Sequence, residues 1–406
     1  MGNKKKILLV HPNLMALGGA TAVAAWIAEA LKDEFAITLL TTDQVDLEGL
    51  NRFHGTSLRE SDMEVVYPNR LIRSVLQLDR DHHSIQPVAY LMRVCRRVRD
   101  RYDLVISSAT EEFDLGGSGI LYVHFPFLAR FWGRYRDCGQ LSLRAQLGAL
   151  FRGELRPWMI LAGFSTERMK EATFLVNSDW TGAAVHRAYR VPTTTLYPPV
   201  TASSRREPWD AREDGFLCIG RLTPQKRMDG AIAILRRVRE QRPHLTLHLV
   251  GTPSQHPEHR QYLHDLQSLV QTHSNWVRLH QRLPREALLK LMGRMRYGIH
   301  LNRDEHFGIA PAELMASGCI VFVHDSGGQV EIVGRDPRLC YQDDEEAFDK
   351  IAKVVASPVL QASVLDSLAS HQTAFDPGRF MRRIRELVEE MTERRKPALG
   401  KLPTPA

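Results

Sequence analysis

The 406-residue chain is expected to be an α/β protein built from two Rossmann-like domains that face each other across a cleft. Three observations carry that expectation. Both halves alternate short β-branched runs with longer helical patterns, the signature of parallel strands joined by covering helices. The length exceeds what one ordinary core fills and suits two. The segment 201–214, after Tyr197-Pro198-Pro199-Val200, is polar and poor in apolar residues, which marks a linker between the halves.

Taken in order, the stretch 6–11 reads as the first strand. A turn with Leu17-Gly18-Gly19 follows, then a helix over 21–31. Residues 36–41, 63–67, 104–108, 120–124 and 173–177 read as further strands, and 87–101 as a basic amphipathic helix. In the second half the strands are 215–220, 246–251, 277–279, 297–301 and 320–324, with helices between them. The last helical pattern, within 377–395, puts Phe380, Ile384, Leu387, Val388 and Met391 at helical spacing. The expected organisation is one domain over 1–200, a second over 201–376, a helix over 377–395 packing back toward the first domain, and a disordered proline-rich tail over 396–406. In such folds ligands lie outside the carboxyl ends of the strands.

Composition narrows the class. Hydrophobic residues at 43% and charged residues at 25% are those of a folded globular protein. No fixed-period repeat or low-complexity tract is present, which excludes solenoids and disordered arrays. The five cysteines (Cys95, Cys138, Cys218, Cys319 and Cys340) are odd in number and never in C-x-x-C spacing. That argues against a disulfide framework or a zinc site and suits a reducing compartment. The apolar run behind the basic start covers only 7–10, too short for a signal peptide or a membrane span, so a cytoplasmic location is expected. A net charge of +7 favours an anionic partner. No ribonucleoprotein, zinc-finger or helix-turn-helix pattern supports nucleic acid. Small anionic ligands and an anionic membrane surface remain.

The chemistry concentrates in Asp304-Glu305-His306-Phe307-Gly308-Ile309, which follows the strand 297–301 and opens a helix. Pro311 is tolerated in a first helical turn, and Gly318 is placed to end the helix in a left-handed conformation. Gly308 lets the backbone come close to a ligand, and the N–H groups of a helix start suit a diphosphate. Glu305 in the approach loop can meet a sugar. Glu313, two turns on, can accept hydrogen bonds from ribose hydroxyls. An ordinary surface helix with acidic residues near its N-terminus would carry the same pattern, but a second element favours the ligand. The apolar strand 216–220 is followed by Gly220-Arg221-Leu222-Thr223-Pro224-Gln225-Lys226. Arg221 offers a planar fork and Lys226 a compact cation where a β-phosphate would sit. Such charge-assisted bonds contribute about 1.5–3 kcal/mol each, and more as charge builds on a departing diphosphate.

With these residues the chain resembles glycosyltransferase family four, retaining enzymes of the GT-B fold. The family's two glutamates separated by seven residues are matched by Glu305 and Glu313. Its basic pair is matched by Gly220-Arg221 followed by Lys226. Ser326-Gly327-Gly328 with Glu331 matches its next segment, and Gly18-Gly19 its N-terminal phosphate-facing loop. Tyr122-Val123-His124-Phe125-Pro126, Asn177-Ser178-Asp179-Trp180-Thr181, Leu196-Tyr197-Pro198-Pro199 and Glu305-His306-Phe307-Gly308-Ile309 are further similar to eukaryotic α-1,2-mannosyltransferases acting on dolichol-linked oligosaccharide. The resemblance implies a hexosyltransferase with an N-terminal acceptor domain and a C-terminal donor domain. GDP-mannose is the favoured donor, a glycan or polyprenyl-linked molecule the acceptor, and neither metal nor other cofactor is expected. It assigns donor binding to Gly18, Gly19, Gly220, Arg221, Lys226, Glu305, His306, Phe307, Gly308, Ile309 and Glu313. Catalysis falls to His124, Arg221, Lys226 and Glu305, with His124 touching the sugar's C6 hydroxyl or the acceptor side. Transfer would proceed on the front face with retention, since no carboxylate nucleophile for double displacement stands out.

Several residues also admit other roles. His124 could be an ordinary hydrogen-bonded histidine at a strand end. Asp79-Arg80-Asp81-His82-His83 mimics a metal cluster but has no strand before it, so metal binding is disfavoured. Glu111 and Glu112, being adjacent, would point apart in an extended segment; either of them, or Asp114, could border an acceptor pocket. Over 125–164, Phe127, Phe131, Trp132, Tyr135, Phe151 and Trp158 mingle with Arg130, Arg134, Arg136, Arg144, Arg152 and Arg156. That segment suits an anionic bilayer surface or, equally, an insertion packed on the first domain. A dinucleotide-dependent oxidoreductase lacks its G-x-G-x-x-G after the first strand and has only Asp43 in its favour. A non-catalytic nucleotide-sugar-binding protein is opposed by the intact Arg221, Lys226, Glu305 and Glu313.

Overall fold

A computed structural model of the chain describes residues 4–15, 18–76, 85–109, 113–127, 155–201, 206–254 and 256–394. The 79–83 cluster, Glu111, Glu112, Leu17, most of the 125–164 segment and the 396–406 tail lie outside the described residues. The chain divides into two compact units. The first comprises Met1–Val176, Ala184–Leu196 and Gly378–Ala406, and the second comprises Asn177–Ala183 and Tyr197–Pro377.

Among the described residues the first unit is built on seven strands: β1 (Lys6–Val10), β2 (Ala36–Leu40), β3 (Met63–Val66), β4 (Leu104–Ser107), β5 (Ile120–Val123), β6 (Thr173–Val176) and β7 (Thr193–Thr195). They lie in the order β3-β2-β1-β4-β5-β6-β7, and every pairing is parallel. Central strands of a parallel sheet are covered on both faces, so they read as unbroken apolar runs such as Ile7-Leu8-Leu9-Val10, all at most 1% exposed. Register puts Ile7 beside Ile37 on one side and Leu104 on the other. The helix Gly19–Leu31 follows β1 and is buried along almost its whole length, as its Ala-Val-Ile composition requires. The last helix among the described residues, Pro377–Arg394, inserts Phe380, Ile384, Leu387 and Val388 into the core that holds Ile7, Leu9, Ile106 and Tyr122. Polar ties flank that packing: Arg385 Nε donates to the Ala30 carbonyl at 2.6 Å, and Lys5 Nζ to Thr392 Oγ1 at 2.8 Å.

Among the described residues the second unit has six strands: β8 (Glu213–Ile219), β9 (Thr246–Gly251), β10 (Val277–Gln281), β11 (Met295–His300), β12 (Ile320–His324) and β13 (Cys340–Tyr341). Their order is β10-β9-β8-β11-β12-β13, again parallel throughout. Both sheets therefore reverse their winding direction once, between β1 and β4 in the first and between β8 and β11 in the second. Loops leaving the carboxyl ends of those strands diverge there and open the crevice in which α/β sheets bind ligands.

The polar stretch 201–214 makes contacts of its own among its described residues. Its end already lies in β8, and Arg212 is buried, with its guanidinium donating to the main-chain carbonyls of Glu207, Met295 and Ser317 at 2.9, 3.2 and 3.0 Å. A buried arginine is costly unless its donors are satisfied, and here three carbonyls satisfy it. Among the described residues no single helix is long and apolar enough to cross a membrane.

Candidate active site

At the switch point of the second sheet, β8 and β11 run side by side and their following loops deliver opposite charges to one place. Beyond β8 the chain turns through Gly220 and a short 3-10 turn, Pro224–Lys226. Beyond β11 it passes through Asn302 to Glu305. Lys226 Nζ lies 2.5 Å from Glu305 Oε2, and the same oxygen accepts from Asn302 Nδ2 at 2.8 Å and lies 3.2 Å from His300 Nε2. The lysine and glutamate side chains keep 17% and 20% of their surface exposed, so both remain reachable. Burial alone would raise the Glu305 carboxyl, but the Lys226 charge and the His300 and Lys226 hydrogen bonds outweigh it and hold it well below the usual carboxylate range. His300 is buried, and that burial pulls its imidazole below the ordinary value despite the bond to Glu305. The result is an ionised carboxylate, acceptor-only, beside an ammonium with donors to spare.

The loop that presents Glu305 is braced from behind by Ser326-Gly327-Gly328. Ser326 Oγ accepts from the Asp304 N–H at 2.8 Å, and the Gly328 N–H donates to the Glu305 carbonyl at 2.7 Å. A Cβ on Gly327 would stand 2.3 Å from the Glu305 carbonyl oxygen, so only glycine permits this approach. Gln329, fully buried, ties the ends of β11 and β12 together: its Nε2 shares its two N–H groups among the carbonyls of Asn302, His324 and Ser326 at 2.7, 3.0 and 3.1 Å. Glu331 accepts the N–H groups of Asp179 and Trp180 at 2.9 and 3.0 Å, capping the helix Asp179–Tyr189. Ser178 Oγ, just before that helix, donates to the His306 carbonyl at 2.5 Å.

The remaining residues singled out from the sequence fall into different environments. Arg221 is exposed at the carboxyl edge of β8. Gly220 faces the Lys226 stem, where a Cβ would stand 3.2 Å from its methylenes. His306 stacks on Trp180 with ring centroids 5.7 Å apart. Phe307 turns inward instead of toward a ligand; it is 4% exposed and sits beside Tyr197 and Phe375, so only its backbone can face a donor. Gly308, at φ 100°, starts the helix Ile309–Ala316, and half-exposed Ile309 is that helix's first residue. Glu313 is held by the whole guanidinium fork of Arg285, at 2.5 and 3.0 Å.

Gly18, Gly19 and His124 belong to the first unit. Gly18 is extended and precedes the helix Gly19–Leu31, and the His124 ring lies 4.9 Å from that of Tyr122. Across this sheet's own switch point, buried His11 sets Nδ1 2.9 Å from the Ser108 carbonyl oxygen. Asp114 is held inside the first unit. It is fully buried and bound by Arg168 at 2.5–3.1 Å, with the N–H groups of Ser165 and Gly116 donating to it as well. With its lone pairs spent on those partners, it serves the fold.

Sequence reading missed His300, Asn302 and Arg285. His300 was absorbed into a strand, although a histidine closing an otherwise apolar run at the functional edge is a usable signal. Among the described residues no cluster of three or more His, Cys, Asp or Glu side chains is arranged to hold a metal ion.

Residues 200–365 match the family described as glycosyl transferases group 1. The chain is 29% identical over 166 residues to the GDP-Man:Man(3)GlcNAc(2)-PP-Dol alpha-1,2-mannosyltransferase of Xenopus laevis, covering 38% of this chain and 34% of that protein. It is 22% identical over 365 residues to the protein of the same name from Caenorhabditis elegans, covering 80% and 77%. With the first of these relatives, as with several others, the match spans about a third of the relative's own length. In fold, the Anabaena protein HepE in complex with UDP and glucose superposes with a TM-score of 0.64 at 17% identity, over 95% of this chain and 99% of that one. Residues 200–365, which hold Lys226, Glu305 and Glu313, thus match the glycosyl transferases group 1 family within a chain of the GT-B fold.

Proposed function

We infer that the chain is a retaining hexosyltransferase that moves mannose from GDP-mannose to a glycan or polyprenyl-linked acceptor. The cluster of Lys226, Glu305, His300 and Asn302 at the switch point, inside the family-matched residues, carries this reading. The ionised Glu305 can accept hydrogen bonds from hydroxyls of the donor sugar. Lys226 can turn from it to a β-phosphate oxygen, with Arg221 exposed on the same edge. The amides at the start of Ile309–Ala316 supply further positive potential. Charge developing on the leaving diphosphate is met by these groups, without a metal ion in the reading. The acceptor hydroxyl attacks the anomeric carbon on the face the diphosphate leaves, and its proton passes to the departing phosphate. His124 and the Gly18-Gly19 loop keep the roles that the family resemblance implies. The choice of GDP-mannose and a lipid-linked acceptor is supported by the names of the sequence relatives.

A cytoplasmic location, with one face on an anionic membrane, belongs to the same reading. Cys95, Cys218, Cys319 and Cys340 are free and buried, as suits a reducing compartment. In the first unit, Ile160 and Leu161 are 79% and 49% exposed, and Arg93 donates to the Leu161 carbonyl at 2.8 Å, so apolar and cationic groups share one surface. The test of function is a thermal-shift panel with GDP, UDP, ADP and their sugars in metal-free buffer, repeated with Lys226→Ala. Stabilisation by GDP and GDP-mannose that Lys226→Ala abolishes is the expected result. A folded Lys226→Ala protein with unchanged turnover refutes the role given to Lys226. Failure to sediment with anionic vesicles at moderate salt removes the membrane contact.

A further inference from the structure

Glu313 is one of the two glutamates of the family spacing, yet it does not stand alone. Arg285 Nη2 lies 2.5 Å from Glu313 Oε1 and Nη1 lies 3.0 Å from Oε2, a two-point pairing of fork and carboxylate. The same Nη2 donates to Thr201 Oγ1 at 3.2 Å. The arginine and glutamate side chains are only 9% and 13% exposed. Three distant segments meet here: the residue at the entrance to the second unit, the first residue of the helix Arg285–Arg294 and the middle of the helix Ile309–Ala316. Arg285 lies outside every motif that carries the family resemblance.

The geometry points to Arg285 as a specificity-determining residue that orients Glu313 toward the ribose of the donor nucleotide. This rests on the donor-site reading above. A carboxylate offers about four acceptor directions. The fork takes the forward direction on each oxygen and locks the plane of the group, leaving one lateral direction on each oxygen, the two on opposite sides. The free direction on one oxygen can accept from one ribose hydroxyl, and the 2′-deoxy or 3′-deoxy sugar that lacks this hydroxyl leaves it unmet. A lone glutamate beside a diphosphate would repel it and rotate freely. Paired with Arg285, Glu313 is neutralised and held still, so its hydrogen bonds cost little ordering on binding. A lysine cannot reproduce this, because a point charge fixes no plane.

Calorimetric titration of the full chain with GDP, UDP and ADP first identifies the diphosphate bound, and its 2′-deoxy and 3′-deoxy forms follow. The wild type is expected to prefer the ribonucleotide by on the order of tenfold or more, the value of one hydrogen bond to a charged group. Arg285→Met, which keeps bulk and removes the fork, and Arg285→Lys, which keeps charge, should each bring that ratio to about threefold or less. Affinity for the deoxy forms should change far less. A role in folding alone would weaken ribo and deoxy forms together and leave the ratio intact, which overturns the proposal. Thr201→Val, which leaves the ion pair untouched, supplies a milder variant should both Arg285 changes fail to fold, and it should lower the ratio in the same direction. An unchanged ratio there also overturns the proposal. If the wild type binds a diphosphate without preferring ribose, the role of Arg285 falls and the donor-site reading stands. If it binds none of the three diphosphates, both fall.

Discussion

Replacing Lys226 by Met leaves Glu305 without its strongest neutralising neighbour, and the cost can be bracketed. Ion pairs in full solvent contribute about 0–1 kcal/mol, whereas breaking a fully buried pair costs about 3–5 kcal/mol. At 17% and 20% exposure, with His300 and Asn302 still bonded to Glu305, this pair falls between those limits. Lys226→Met should therefore lose about 1–3 kcal/mol. For a unit of this size that lowers the melting temperature by roughly 2–4 °C per kcal/mol. Much of the loss is the penalty of an orphaned charge, so Glu305→Gln in the Lys226→Met background should recover part of it. Urea denaturation of the wild type, both single variants and the double variant then yields a coupling of about 1–2 kcal/mol. The pH dependence follows from the depressed Glu305 carboxyl. Below its unfolded value of 4.5 the unfolded chain binds a proton that the folded one refuses, so stability is present above that pH and lost as pH falls toward the folded value. In Lys226→Met the folded value moves up and this acid loss shrinks. Additive single effects within about 0.5 kcal/mol, or an unaltered acid profile, would refute the reasoning.

Two other outcomes follow from the geometry. Gly308→Ala meets a φ of 100° and a Pro311 Cγ 2.8 Å from the new methyl, so a destabilisation of about 1–3 kcal/mol is expected in urea melts, and a change below about 0.5 would contradict the strain. His11 is pulled to about 4 by burial, so the unfolded chain takes up a proton at its ordinary 6.5 before the folded one does, and stability should fall between pH 6.5 and 4. That loss approaches roughly 3 kcal/mol at the acid end, and His11→Gln should remove it; an equal slope in the variant would assign the loss elsewhere.

Much of the architecture was legible because strands covered on both faces have no choice but to be apolar. Ile7-Leu8-Leu9-Val10 and Ile320-Val321-Phe322-Val323 could hardly be read otherwise. Edge strands escape that rule: β7 is three threonines and β13 only two residues, neither with a pattern to detect. At the site, Lys226 and Glu305 were visible because each follows a strand by a few residues, so local spacing alone brings them to the carboxyl edge. Arg285 was invisible for the opposite reason. It reaches Glu313 across 28 positions, through packing of two helices that no local period records. The surroundings of Phe307 were invisible for the same reason, since Tyr197 and Phe375, which draw its ring into the core, lie far from it in the chain.

The final helix, packed into the first unit's core, governs the order in which the chain can be completed during synthesis. Every residue of the second unit has been made once Pro377 is added, but the first unit still lacks Phe380, Ile384, Leu387 and Val388. The portion made first is thus the portion finished last, and it waits with part of its core uncovered while about 180 intervening residues emerge, a state prone to aggregation. A protein shortened at residue 376 would remain in that state for good, and no single cut in the chain would release two intact units.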